Sequence, residues 1–83
     1  MVKIFGSTNC LYCLKCKQLC QAMEIDCEFL DVTDREAAQN LKDLLPETEI
    51  DSIPQVFWKD KHIGGYRELT IYIDDYISKT KEK

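Results

Sequence analysis

Val2-Lys3-Ile4-Phe5-Gly6-Ser7-Thr8-Asn9-Cys10-Leu11-Tyr12-Cys13 is the stretch on which the reading of this chain turns. Val2 to Phe5 form a short apolar, β-prone run, and Gly6 with the polar Ser-Thr-Asn loop ends it. Cys10 then stands where a helix can begin, and Cys13 lies three residues on, nearly one helical turn later. Two thiols separated by two residues can close a small disulfide and open it again, which is reversible redox chemistry. At a helix cap the unpaired N–H groups and the positive end of the helix dipole favour a thiolate. Cys10 is therefore expected as the nucleophile, with Lys15 and Lys17 adding a little positive charge nearby. The Cys13 sulfur is expected to reach back towards it while being less exposed.

The rest of the chain supplies alternating strand and helix signals. From Leu11 a helical stripe of Leu11, Leu14, Leu19, Ala22 and Met23 is expected, with Cys13, Cys16 and Cys20 between. Cys27 to Val32 fits a second strand. Thr33-Asp34-Arg35-Glu36 has the spacing of a capping box, opening a helix through Ala37, Ala38, Leu41, Leu44 and Leu45 that Pro46 stops. Gln55 to Trp58 reads as a third strand, and Lys59-Asp60-Lys61 as a turn into a fourth near His62-Ile63. After Gly64-Gly65 a last helix shows Leu69, Tyr72, Ile73, Tyr76 and Ile77 at helical spacing. The order is β-α-β-α-β-β-α. Parallel pairing is required in the first βαβ unit, and a hairpin joins the last two strands. The expected fold class is α/β, a four-stranded mixed sheet flanked by three helices. With Cys-x-x-Cys at the first strand-to-helix junction, that is the thioredoxin-like arrangement.

Size and charge narrow the function classes. With 83 residues, the chain is expected to form a single domain over residues 1–83, burying only about 60% of its unfolded surface. A net charge of −4 argues against nucleic acid, which selects basic surfaces. The basic run Lys79-Thr80-Lys81-Glu82-Lys83 reads as a solvated tail suited to the negative end of a helix. No membrane span or secretory leader is apparent, and a cytoplasmic location is expected. There, thiols are kept reduced, so the five cysteines are not expected to be structural staples.

Metal binding is the competing use of the thiols. Cys10, Cys13, Cys16 and Cys20 have the C-x2-C-x2-C-x3-C spacing of an iron–sulfur run. Gln21 follows where such a run continues with Pro, and Leu14 to Met23 looks helical rather than looped. Zinc needs a second ligand pair, which the chain lacks. Cys13, Cys16 and Cys20, at i, i+3 and i+7, share one helix face, and Cys16, Cys20 and Cys27 are read as core packing. Phe5, Phe29, Phe57, Tyr72 and Tyr76 are read as core or partly buried aromatics; Trp58 is given no role.

Nearly end to end, the chain resembles the glutaredoxins, in particular the short bacterial and phage dithiol type. The resemblance rests on Ile4-Phe5-Gly6 leading to Cys10-Leu11-Tyr12-Cys13, then Ile53-Pro54-Gln55-Val56-Phe57, then His62-Ile63-Gly64-Gly65-Tyr66. It implies a cis peptide before Pro54, close to the cysteines. It also implies a glutathione-dependent thiol–disulfide oxidoreductase of electron transport and cell redox homeostasis. Cys10 and Cys13 would be catalytic, and Tyr12, Ile53, Pro54, Gly65, Tyr66 and Arg67 would bind glutathione. Glutathione would be a reducing co-substrate, with no permanently bound cofactor and no metal. Partners would be disulfide-containing proteins, among which ribonucleotide reductase is a usual client, and the protein would act as a monomer. A redoxin fed by thioredoxin reductase, or an iron–sulfur or zinc protein, is the alternative. Leu11 stands where the dithiol motif usually has Pro, Ser7 where a Lys or Arg often stands, and Arg67-Glu68 where Thr or Asp often contacts the ligand.

Overall fold

The computed structural model describes residues 2–46 and 52–81, with side chains as far as residue 78. Its elements follow the order β1 (Val2–Gly6), α1 (Leu11–Ala22), β2 (Cys27–Asp31), α2 (Arg35–Leu44), β3 (Gln55–Trp58), β4 (Lys61–Gly64) and α3 (Tyr66–Lys81). The strands form one sheet in the order β2-β1-β3-β4. β1 pairs with β2 in parallel, Ile4 opposite Phe29, and with β3 antiparallel, Ile4 opposite Val56. The β3–β4 hairpin is antiparallel, with a register shift between Val56 and Phe57. This is the expected thioredoxin-like α/β fold.

Strand alternation divides the core in two. Val2, Ile4 and Val56 face one side, where Cys16 and Cys20 of α1 and Leu69 and Ile73 of α3 cover them. Phe5 and Phe57 face the other, against Leu41 of α2, their rings edge to face at 5.6 Å between centroids. A side-chain period of two on the strands therefore places α1 and α3 on one face and α2 on the other.

Several expectations fail in detail, each for a local reason. The buried face of α1 is Cys13, Cys16 and Cys20, while Leu11 is 64% exposed and Met23 45%. The slim cysteines take the buried face and leave Leu11 and Met23 outside, while Leu19 stays partly buried against the core. The capping box is shifted by one residue: Asp34 caps α2, its side chain accepting from the Glu36 N–H at 3.2 Å. Thr33 is not free to cap, because its N–H and hydroxyl both donate to the Asp31 carboxylate, at 2.9 and 2.7 Å. Those two bonds also hold the Asp31 carboxyl below the usual range. In α2 only Ala37 and Leu41 are buried; Ala38 and Leu44 face out. Tyr76, expected in or near the core, is 48% exposed; it packs tilted against Trp58, with ring centroids 5.2 Å apart, beside Tyr72 at 4.7 Å. In the basic C-terminal run, side chains from residue 79 and all of residues 82 and 83 lie outside the described residues. Among the described residues no helix is long and apolar enough to cross a membrane.

Leu41 alone joins α2 to the smaller core cluster as a fully buried side chain. Leu41→Ala is expected to cost about 2–5 kcal/mol, the range for a large-to-small core truncation. Asn40→Ala, on the exposed side of the same helix, should stay within about 0.5 kcal/mol. Urea unfolding of the two variants checks the difference.

Candidate active site

The site begins where β1 hands the chain to α1. Gly6 ends the strand, and the Cys10 N–H donates to the Ser7 carbonyl at 3.1 Å, closing the intervening turn. Cys10 is the N-cap of α1, in extended conformation, and its carbonyl accepts the first helical bond from Leu14 at 3.1 Å. Its sulfur is partly exposed; the Cys13 sulfur, less than a turn further, is fully buried.

Gly6 is needed for that burial. A Cβ at this position would lie 2.8 Å from the Cys13 Cβ and closer still to its sulfur. The strand end must therefore lack a side chain for the Cys13 thiol to sit beneath Cys10. In the sequence, Gly6 reads only as a strand stop.

The two thiols are driven apart in acidity by the same contact. Hydrogen bonding from the Cys13 thiol lowers the Cys10 pKa most, and the N–H groups of Cys13 and Tyr12 add to it against a desolvation cost. Burial, with the neighbouring Cys10, pushes Cys13 up to about 11. Cys10 is thus the more readily ionised of the two and Cys13 the one that holds its proton, the division a nucleophile and a resolving thiol require. The lysines contribute differently from expectation. Lys15 Nζ lies over the Tyr12 ring at 5.0 Å and the Tyr66 ring at 6.0 Å, and Lys17 Nζ over Phe29 at 5.9 Å.

Forty-three residues later the chain returns to the same spot. The Ile53–Pro54 peptide is cis, as expected, and the Cys10 sulfur points at the Ile53 carbonyl from 4.0 Å. An open groove of about 520 Å³ runs from there, and Tyr12, Ile53, Pro54, Gly65, Tyr66 and Arg67 all line it. Those six, singled out in the sequence, come from four separate parts of the fold. Tyr12 and Tyr66 meet across it with centroids 5.7 Å apart.

Three further groove residues were given no role from the sequence: Ser52, Gln55 and Glu68. Glu68 Oε1 accepts from the Gly65 N–H at 2.8 Å. That bond, with the Glu68 N–H and nearby Arg67, lowers its pKa, so it is ionised at neutral pH. The start of α3 therefore already holds an internal carboxylate. The Gly65-x-x-Glu68 spacing, a capping pattern, was the available signal. Gly64, at φ +117°, makes the turn into α3, and a side chain there would meet Glu68 as well.

Cys16 and Cys20 lie along the buried face of α1, and burial pushes both thiols up to about 12. Their sulfurs are packing within the larger core cluster, with Cys27 against its edge. Among the described residues no three His, Cys, Asp or Glu side chains are grouped to hold a metal ion, so this geometry does not favour the iron–sulfur or zinc alternative.

Gly6→Ala forces β1 and α1 apart at the thiols. It should lower stability by about 1–3 kcal/mol, the usual cost of overpacking, and raise the alkylation rate of Cys13. Urea unfolding and mass-spectrometric mapping of alkylated thiols check both; an unchanged midpoint with Cys13 still protected would count against the close approach.

Comparison with known proteins agrees with this geometry. Residues 2–63 match the family model described as Glutaredoxin. Glutaredoxin-1 of the fungus Rhizophagus irregularis is 26% identical over 69 residues, 82% of this chain and 68% of that protein. The crystal structure of glutaredoxin 1 from Francisella tularensis complexed with cacodylate superposes with a TM-score of 0.74 at 28% identity, covering 93% of this chain and 95% of that one. A buckwheat glutaredoxin–glutathione complex superposes with a TM-score of 0.72 at 25% identity, covering 89% and 68%. The chain belongs to the glutaredoxin family, and that membership together with its fold makes it a thiol–disulfide oxidoreductase.

Proposed function

We propose that this protein is a glutathione-dependent oxidoreductase that reduces protein disulfides and glutathione mixed disulfides through Cys10 and Cys13. The observation that carries the reading is the groove beside Cys10. Ile53, one of its lining residues, brings its carbonyl to 4.0 Å from the partly exposed Cys10 sulfur. Its volume of about 520 Å³ falls in the range of about 300–1,000 Å³ typical of small-ligand sites. The similar buckwheat protein is one whose structure holds glutathione.

The chemistry follows from the acidity split. With a glutathione mixed disulfide, the Cys10 thiolate attacks the glutathione sulfur. The S–S bond breaks, the substrate thiolate leaves and takes a proton, and glutathione stays joined to Cys10. A second glutathione thiolate attacks that glutathione sulfur, releasing oxidised glutathione and the Cys10 thiolate. With a protein disulfide, Cys10 forms the mixed disulfide and Cys13 attacks the Cys10 sulfur. The substrate dithiol departs, leaving a Cys10–Cys13 disulfide that two glutathione molecules reduce.

Cys13 is suited to act only after Cys10 has. Part of its raised pKa comes from Cys10, through hydrogen bonding and charge. Once the Cys10 sulfur is bound covalently, that charge is gone and Cys13 loses its proton more readily. Along the groove, the extended glutathione backbone would pair with Ile53 as an added strand does. Its γ-glutamyl ammonium suits Glu68, and the adjoining carboxylate suits Arg67 and the remaining N–H groups of α3.

Cys10→Ser and Cys13→Ser separate the two reactions. Cys10→Ser should abolish glutathione-coupled reduction of a small mixed disulfide. Cys13→Ser should retain that reaction but lose reduction of a protein disulfide. Equal loss of both activities in both variants would contradict these roles; coupled assays following NADPH consumption through glutathione reductase read the outcome.

A further inference from the structure

Catalysis in this groove depends on where the segment Ser52-Ile53-Pro54 is held, because the Ile53 carbonyl lies 4.0 Å from the Cys10 sulfur. A side-chain relay fixes that segment from the far strand. Gln55 Nε2 donates to the Ser52 carbonyl at 2.9 Å. The other end of the same amide, Oε1, lies 2.7 Å from His62 Nε2. Since the amide nitrogen is committed to Ser52, its oxygen must face the imidazole, and His62 Nε2 must carry the hydrogen that Oε1 accepts. The imidazole is itself held against the Phe57 ring, with centroids 5.0 Å apart, and Phe57 is buried in the smaller core cluster with Phe5 and Leu41.

We infer that His62 is a positioning residue for the groove: through Gln55 it ties the Ser52 carbonyl, and with it Ile53 and Pro54, to the core. The relay joins residues that the backbone pairing leaves unlinked, since His62 stands opposite Phe57, not Gln55, in the hairpin. The register shift between Val56 and Phe57 adds a residue on one strand and re-aims the side chains beside it. Without the His62 donor, the Gln55 amide is free to turn and the Ser52 carbonyl loses its fixed partner. The substrate then meets a looser wall, while the acidity of Cys10, set by Cys13 and the α1 N–H groups, does not change. The relay holds the substrate-binding wall rather than the nucleophile.

The inference rests on the proposed glutathione reading only for its first substrate, so two substrates are measured in parallel. One is a glutathione mixed disulfide reduced by glutathione; the other is a peptide disulfide reduced by dithiothreitol. His62→Leu removes the donor at similar size, and His62→Gln keeps an N–H able to reach Gln55. His62→Leu should raise KM about three- to tenfold, the effect of one neutral hydrogen bond, leaving kcat and the Cys10 alkylation rate within twofold. His62→Gln should restore most of the lost KM. An unchanged KM in His62→Leu, or His62→Gln failing equally, would overturn the relay. Wild type that turns over only the peptide disulfide would overturn the glutathione reading instead, and the KM for that peptide would still decide the relay.

Discussion

The Cys10 and Cys13 sulfurs share one contact, and its asymmetry organises the molecule. One thiol is capped by helix N–H groups at the surface; the other is sealed beneath it against Gly6. Burial penalises charge on Cys13, and its retained proton is then available to stabilise charge on Cys10. Exposure alone would leave Cys10 an ordinary thiol, and burial alone would leave Cys13 inert. The pair needs a strand end with no side chain, a helix that starts at the first sulfur, and a core that receives the second.

The fold supplies these together because α1 is laid on the sheet through sulfur atoms. Cys13, Cys16 and Cys20 are small, apolar and fully buried, so the helix approaches the strands closely. The same helix face that buries Cys13 also supplies Cys16 and Cys20 to the larger core cluster. Stability and chemistry therefore draw on one helix face. The groove wall comes from the opposite half of the chain: the approach to the β3–β4 hairpin and the start of α3 bring Ile53, Pro54 and Gly65 beside Tyr12 of α1. Central placement of β1 and β3 in the sheet makes the two halves neighbours.

Much of this was legible in the sequence because periodicity and punctuation agree. The short β-prone runs Val2–Phe5 and Gln55–Trp58, and the Gly64-Gly65 break, specify strands and turns that the structure keeps. Groove residues were singled out through the motifs that resemble the glutaredoxins. What escaped depends on competition among neighbours. Thr33 looked like a cap until Asp31 took both of its hydrogens. Leu11 and Met23 looked like core, but smaller cysteines won the buried face. The Gln55–His62 contact spans seven positions across a hairpin with a register shift, and no local pattern encodes it. Glu68 was visible only as a departure from a familiar motif. Its role as an internal cap appears when the Gly65 N–H is placed beside it.

The acidity of Cys10 measured with and without its neighbour tests the account most directly. The pH dependence of alkylation at Cys10 should level off below the ordinary thiol range in wild type, because the thiolate forms early as pH rises. In Cys13→Ala the same midpoint should move upward, since the largest stabilising contact is removed. A wild-type midpoint no lower than that of a free thiol, or one indifferent to the loss of the Cys13 sulfur, would contradict the arrangement described.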